Sequence, residues 1–420
     1  MILTRRLLAG VIGSGLEWYD FAIYGSFANI IAALFFPHTN HFNAILATFG
    51  IFAVGFFMRP LGGFIFGHFG DQLGRSRVLI FTVYGMTCPT VLIGLLPTYQ
   101  QAGVIAPLLL LLARVVQGLV IGGEYTGALL FLAENEIPQK RAQTSCLAML
   151  SALGGVILGS VVVAVFTNLI GQDSLYRWGW RIPFLFGAVL GFVGYRLRHR
   201  MTETEIFLKL VEESRIVQSP ASKVFRAHKR AMFLIIGVCV ISGVGQYLMF
   251  TYFPSFIQHS ANLSLDKVLQ INTFGMLVIF FSVLFFAKLS DRLGRRPILI
   301  GASLGFLFLS IPIFYLLSQS SIILVILGVG LYGALVGIAS APMAALYMEL
   351  FPTEVRYSGI AISYNISFAL FAGTAPALAA LLVKVFQTSL APAYLLMFAS
   401  LISLFCFWLM PETVGKDLKN

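Results

Sequence analysis

The sequence predicts an all-α membrane protein of twelve transmembrane helices in two six-span halves, with both termini cytoplasmic. Three observations predict it. Of 420 residues, 58% are hydrophobic and only 11% charged, and the mean hydropathy is +0.89. A soluble domain carries about 25% charged residues. So much apolar surface needs lipid as its solvent, where only helices and closed barrels satisfy their backbones. The apolar runs are about 20–28 residues long, the length a helix needs to cross a bilayer. Finally, Gly67-His-Phe-Gly-Asp71-Gln-Leu-Gly-Arg75 recurs as Ala287-Lys-Leu-Ser-Asp291-Arg-Leu-Gly-Arg295, with Asp71 and Asp291 separated by 220 residues. A chain written twice suits a machine whose halves rock about a site.

The first half, 1–198, holds apolar spans near 8–35, 44–69, 78–97, 105–134, 142–170 and 180–198. Residues 7–35 are too long for a signal-peptide core and carry acids, so they read as a retained first helix. The polar stretch 199–230 reads as a cytoplasmic linker with a surface helix. The second half, 231–420, holds spans near 231–258, 268–288, 298–317, 321–349, 356–384 and 389–410. Tilt or extension beyond the hydrocarbon accommodates the longer ones.

Charge gives the direction. With the N-terminus inside, 22 of the 28 Lys and Arg residues fall on cytoplasmic segments. Four (Arg177, Arg181, Lys267, Lys384) fall on outer loops, and Arg59 and Arg114 fall within spans. This is a positive-inside pattern. The net charge of +11 is therefore scattered over short loops, and no nucleic-acid partner is expected.

A second repeat supports duplication. Glu134 to Arg141, with Pro138 between, follows span four; Glu349 to Arg356, with Pro352 between, follows span ten. The two copies lie 215 residues apart. Gates are expected at these repeats. Asp71 caps a neighbouring helix start or pairs with a loop arginine; Arg75 and Arg77 bridge the junction; Asp291, Arg295 and Arg296 do the same in the second half. Glu134, Arg141, Glu349 and Arg356 complete the gating set. Simple topology anchoring is the plainer reading of the arginines.

Charge inside a span costs roughly 2.5–3.5 kcal/mol on insertion scales, so the few interior charges are the best site candidates. Glu17 and Asp20 lie about 14 and 18 Å along the first span at 1.5 Å per residue. With Tyr24 they share one helical face. Either acid can carry a transported proton, and a buried salt bridge to an arginine is the structural reading. Arg59 and Arg114 can clamp a substrate carboxylate or neutralise these acids. Gln117 lies one turn beyond Arg114. Glu124, deeper in the same span beside Tyr125, is a proton relay or an inner-half salt bridge. The second half has little buried charge; Gln246, Tyr247, Tyr364 and Asn365 are its polar candidates for substrate contact, and core packing explains any one of them.

The remaining features are plainer. Cys88, Cys146, Cys239 and Cys406 have neither disulfide nor zinc spacing and read as small buried hydrophobes. Trp178 and Trp180 suit an interfacial belt or an outer gate. No phosphate-binding loop is present, so no cofactor is expected and the energy source is an ion gradient. No nucleophile–base set argues for an enzyme.

The chain resembles the major facilitator superfamily, and within it the metabolite:proton symporter branch of proline/betaine, α-ketoglutarate, citrate and shikimate carriers. The resemblance rests on Gly15-Leu-Glu-Trp-Tyr-Asp20-Phe, Arg59-Pro-Leu-Gly-Gly63, Gly67–Arg75, Arg114-x-x-Gln-Gly118, Gly122-Gly-Glu-Tyr125, Trp180-Arg-Ile-Pro-Phe184 and Pro411-Glu-Thr413, spread over nearly the whole length. It implies two six-helix bundles in a bacterial inner membrane, the superfamily's 2–3 loop motif at Asp71, and its proton-coupling motif at Arg114. Arg75-Ser76-Arg77 and Ala287 depart mildly from the pattern. No heptad run precedes Asn420, unlike the coiled-coil tail of some osmosensing carriers.

The expected activity is proton-coupled import of a small organic acid, a carboxylate or dicarboxylate favoured by Arg59 and Arg114. A zwitterion such as proline or betaine, a proton-independent facilitator or exchanger, and a receptor built on a transporter fold are the alternatives. Expected partners are the substrate, protons and the lipid bilayer, with the chain acting as a monomer.

Overall fold

The computed structural model describes residues 5–37, 41–416 and 418; Lys419, counted above among the inner charges, lies outside them. Every regular element among the described residues is helical. Two compact units form, one from residues 1–135 and 147–221, the other from 136–146 and 222–420.

The first unit is built on α1 (Arg5–Ser26), α2 (His41–Leu73), α3 (Arg75–Leu95), α4 (Ile105–Glu134), α5 (Leu147–Leu169) and α6 (Arg181–Arg198). The second is built on α7 (Lys229–Tyr247), α8 (Leu265–Leu293), α9 (Arg295–Leu317), α10 (Ile322–Ser340), α11 (Arg356–Ser367) and α12 (Ala391–Leu409). In the first unit α2 packs on α4, α1 on α5 and α6, and α3 on α4 and α6. In the second α8 packs on α10, α7 on α11 and α12, and α9 on α10 and α12. Each pairing recurs six helices later.

Ten helical segments among the described residues are long and apolar enough to cross a membrane. α1 and α6 are not among them, for a chemical reason. Glu17 and Asp20 interrupt α1, and Arg181, Arg196 and Arg198 lie in the 18 residues of α6. Phe57, Phe81, Leu112, Phe285, Phe308 and Phe398 point outward, an apolar surface that only lipid covers without cost.

The predicted spans meet their helices with several differences, and spans five and ten are interrupted at Cys146 and at Ala341-Pro342. The first span breaks at Phe27 and resumes as Ala28–Phe35. Spans seven and eleven each pass through a π-helical turn, Leu248–Tyr252 and Phe368–Ala372. The repeated Asp-x-Leu-Gly-Arg stretch is not a loop: helix continues through Leu73 and Leu293, and one glycine makes each turn. Gly74 and Gly294 adopt nearly the same conformation, φ 102°, ψ 159° and φ 108°, ψ 162°, a region open essentially to glycine alone.

Two minor expectations change. Trp180 is fully buried against Phe35 and Phe184, so of these two the half-exposed Trp178 alone fits a belt. Cys88 lies on the surface, while the other three cysteines are buried free thiols.

Candidate functional site

The interior of the first unit holds two ionic clusters, both resting on α1. Asp20 is fully buried and pairs with Arg114 of α4 through a short charge-assisted hydrogen bond. Gln117, one turn beyond Arg114, donates to Asp20 at 3.1 Å and to the Thr90 hydroxyl at 2.8 Å, and that hydroxyl lies 2.9 Å from Asp20. Arg114 also donates to Gln117 at 2.7 Å and stands 3.9 Å over the Tyr24 ring. Tyr24 in turn donates to the Thr48 carbonyl at 3.0 Å. The Asp20 carboxylate is thus held by three donors from two other helices.

Glu17 lies one turn earlier on α1 in opposite surroundings. It is equally buried, yet neither carboxylate oxygen has a hydrogen-bond partner. Its nearest cation is Arg59 of α2, 3.9 Å away, and Arg59 also stands 5.6 Å over Phe56.

Glu124 forms the second cluster. Arg198 of α6 meets it with a two-pronged ion pair at 2.6 and 2.8 Å, and Thr82 donates to it closely. Arg198 also donates to the backbone carbonyls of Ala9 and Leu79, tying α6 to α1 and α3. Gly13 makes the room, because a Cβ there would overlap both charged groups. Of the two readings of Glu124, the geometry is that of the salt bridge. The arginine that completes it is the last residue of span six, at the edge of the basic linker. A signal for it exists in the sequence: Gly187, Gly191, Gly194 and Arg198 share the buried face of α6.

The duplicated ends carry a third arrangement, present in each unit. In the first, Arg75 is buried, grips Glu134 at 3.3 and 3.4 Å, lies 3.6 Å from Asp71 and donates to the Gly70 carbonyl. Thr204 donates to Glu134 at 2.7 Å, and the backbone N–H of Ser76 donates to Glu203 at 3.0 Å, capping α3. In the second, Arg295 grips Glu349 at 3.1 and 3.3 Å and Asp291 at 2.7 Å. Thr413 donates to Glu349 at 2.6 Å, and the N–H groups of Arg295 and Arg296 donate to Glu412, capping α9. Glu203-Thr204 and Glu412-Thr413 form a further repeat, 209 residues apart, whose pairing only the structure reveals.

Other gating candidates go elsewhere. Asp291 also accepts the N–H groups of Ala142 and Gln143, capping the short helix Arg141–Ser145, and Arg141 pairs with Glu349 at 3.0 Å. Arg356 donates to the carbonyls of Met348, Phe351 and Leu418, and Arg296 to that of Trp408. Arg77 is exposed, so it lies outside the Arg75 cluster.

In the second unit the positions matching Thr82, Glu124 and Arg198 by the repeat offsets are Ala302, Ala339 and Phe407, all buried. The interior charge of the first half is replaced by packing. Tyr364 lies 4.1 Å from Phe368 between ring centres, and Tyr247 packs at 6.1 Å on the same phenylalanine. Gln246 donates to Ser340 at 3.0 Å and Asn365 to the Ala361 carbonyl at 2.7 Å. Tyr125 of the first unit is half-buried.

Residues 19–370 match the family model described as Major Facilitator Superfamily. The chain belongs to the major facilitator superfamily. It is 36% identical to the glycine betaine/proline/ectoine/pipecolic acid transporter OusA of Dickeya dadantii, covering all of this chain and 85% of that one. The proline/betaine transporter of Escherichia coli is 34% identical over the same shares. A putative proline/betaine transporter of Staphylococcus aureus is 33% identical over 99% and 90%. Among solved structures, the proton:xylose symporter XylE matches with a TM-score of 0.79 at 17% identity, over 99% of this chain and 97% of that one; that likeness speaks to the fold. As a superfamily member the chain is a multi-pass transporter of a bacterial inner membrane and not an enzyme.

These relatives overturn the expected carboxylate or dicarboxylate cargo. The names they carry are those of zwitterions. The physical cause of the error is visible in the clusters. The carboxylate expectation leaned on Arg59 and Arg114 as cations without counter-ions, whereas Arg114 pairs with Asp20 and Arg59 faces Glu17.

Proposed function

We propose that the protein is a proton-coupled symporter importing a small zwitterionic osmolyte or amino acid of the proline/betaine kind by alternating access. The observation that carries the reading is the balance of interior charge in the first unit. Three carboxylates (Glu17, Asp20, Glu124) face three guanidinium groups (Arg59, Arg114, Arg198). With all six groups ionised, such an interior has no spare cation for an anionic cargo and suits one with no net charge. The relatives' names support the same substrate class.

Within this reading Glu17 carries the proton. A buried carboxylate without hydrogen bonds is costly when ionised, so it takes up a proton readily, and Arg59 lowers that cost when the proton leaves. Asp20, gripped by Arg114, Thr90 and Gln117, positions α1 against α3 and α4. Glu124 serves as the anchor of α6. Tyr24, Arg59, Arg114, Gln117 and Tyr125 of the first unit, and Gln246, Tyr247, Tyr364 and Asn365 of the second, are assigned to substrate contact. The Arg75–Glu134 and Arg295–Glu349 clusters, with Asp71, Asp291 and Arg141, act as gates. The helices make twelve spans in two six-helix bundles joined by the 199–230 linker, with both termini cytoplasmic by the positive-inside pattern, and the monomer is the working unit.

The test is uptake by proteoliposomes with an acid exterior. Labelled proline or glycine betaine is expected to accumulate and to leak out when a protonophore is added. Accumulation of a dicarboxylate instead, or zwitterion uptake indifferent to the pH gradient, overturns the proposal.

A further inference from the structure

The second unit contains a cleft of about 640 Å³ where the start of α7 meets the end of α12. Arg230, Lys416 and His228 give it polar walls, while Leu234, Leu350 and Met410 are among the apolar residues of its floor. Arg230 donates one guanidinium N–H to the Leu409 carbonyl at 3.3 Å, and Lys416 donates to the Glu349 carbonyl at 2.8 Å. Both bonds go to neutral acceptors, and no carboxylate is among the lining residues. Among the described residues that line it, the cleft therefore holds two cations, both on exposed residues, and no carboxylate.

Its surroundings give its depth. Trp408, next to the lining residue Leu409, is 71% exposed, and an outward tryptophan at a helix end marks the membrane–water boundary. Phe398, Leu401 and Phe405, earlier on α12, also point outward, as on a lipid-facing helix. A basic rim over an apolar floor, opening at headgroup level beside lipid, has the chemistry that recognises an anionic amphiphile.

We infer that this cleft binds the headgroup of an anionic phospholipid, with Arg230 and Lys416 on the phosphate and the acyl region over Leu234, Leu350 and Met410. The apolar floor favours a lipid over a free anion: seven of the ten lining residues are Ala, Leu, Met or Pro, and inorganic phosphate gains nothing from them.

Melting of the full chain in neutral detergent tests this, titrated separately with short-chain phosphatidylglycerol, short-chain phosphatidylcholine and inorganic phosphate. Phosphatidylglycerol is expected to raise the melting temperature saturably. Half-saturation should weaken about fivefold in Arg230→Gln, as losing roughly 1 kcal/mol per basic residue implies, and be kept in Arg230→Lys. The other two probes are expected to do nothing specific. Should Arg230→Gln fail to fold, Lys416→Gln is read in the same titration. Equal response to phosphatidylcholine, an equal shift with phosphate alone, or phosphatidylglycerol titrations unchanged in the folded variants would overturn the inference.

Discussion

Glu17 and Asp20 lie one turn apart on the same helix, both fully buried, and only Asp20 is hydrogen-bonded. Replacing each by its amide separates the roles assigned to them. Glu17→Gln removes a charge that has no hydrogen bond to lose and only a 3.9 Å ion pair with Arg59, so its melting temperature should fall far less than that of Asp20→Asn. Substrate exchange should persist while pH-driven accumulation is lost. Asp20→Asn leaves Arg114 buried without its counter-ion, at a cost of about 3–5 kcal/mol, seen as a large fall in melting temperature. Loss of pH-driven accumulation in neither variant would remove the proton-carrying role from α1.

The Glu124–Arg198 pair depends on the missing side chain of Gly13. Gly13→Ala places a methyl group into the ion pair and should destabilise the protein by about 1–3 kcal/mol, as overpacking does elsewhere. Glu124→Gln leaves Arg198 unbalanced and should cost more. Thermal unfolding of the two variants checks the order.

At the duplicated turns, Gly74 and Gly294 hold a backbone conformation that costs other residues about 1–3 kcal/mol. A Cβ would also overlap the Glu203 or Glu412 carboxylate. Alanine at either position should loosen the cap of the following helix. Faster amide exchange at the start of α3 in Gly74→Ala, and of α9 in Gly294→Ala, is the expected readout, with the opposite unit unaffected.

These turns show how far the sequence was legible. The duplication, the boundaries of α4 and the candidate acids were readable, because repeats and interrupted apolar runs are one-dimensional signals. The partners were not. Arg198 sits in a run of alternating basic residues, and only its buried face distinguishes it from Arg196 and Arg200. Thr204 and Thr413 are ordinary residues until folding brings them to Glu134 and Glu349. The Asp20–Arg114 pairing was hidden for the same reason: its two members lie 94 residues apart.

Glu412 makes part of the second turn pH-dependent. Burial alone would raise its pKa, but the backbone N–H groups of Arg295, Val414, Thr413 and Arg296 outweigh it and hold the pKa below the ordinary 4.5. A depressed carboxylate contributes stability that is full above 4.5 and lost as pH falls through the lowered value. Amide exchange at Arg295 and Arg296 should therefore accelerate on acidification below pH 4.5 in the parent protein. In Glu412→Gln it should already be fast at neutral pH and, after correction for intrinsic exchange, show little further change.

Accumulation measured in proteoliposomes under an imposed pH gradient, with proline, glycine betaine and a dicarboxylate compared side by side, tests the central claim most directly. The balanced interior charge and the unbonded Glu17 predict that a zwitterion accumulates, that the dicarboxylate does not, and that Glu17→Gln exchanges substrate without concentrating it. Concentrative dicarboxylate uptake, or full concentrative zwitterion uptake by Glu17→Gln, would contradict it.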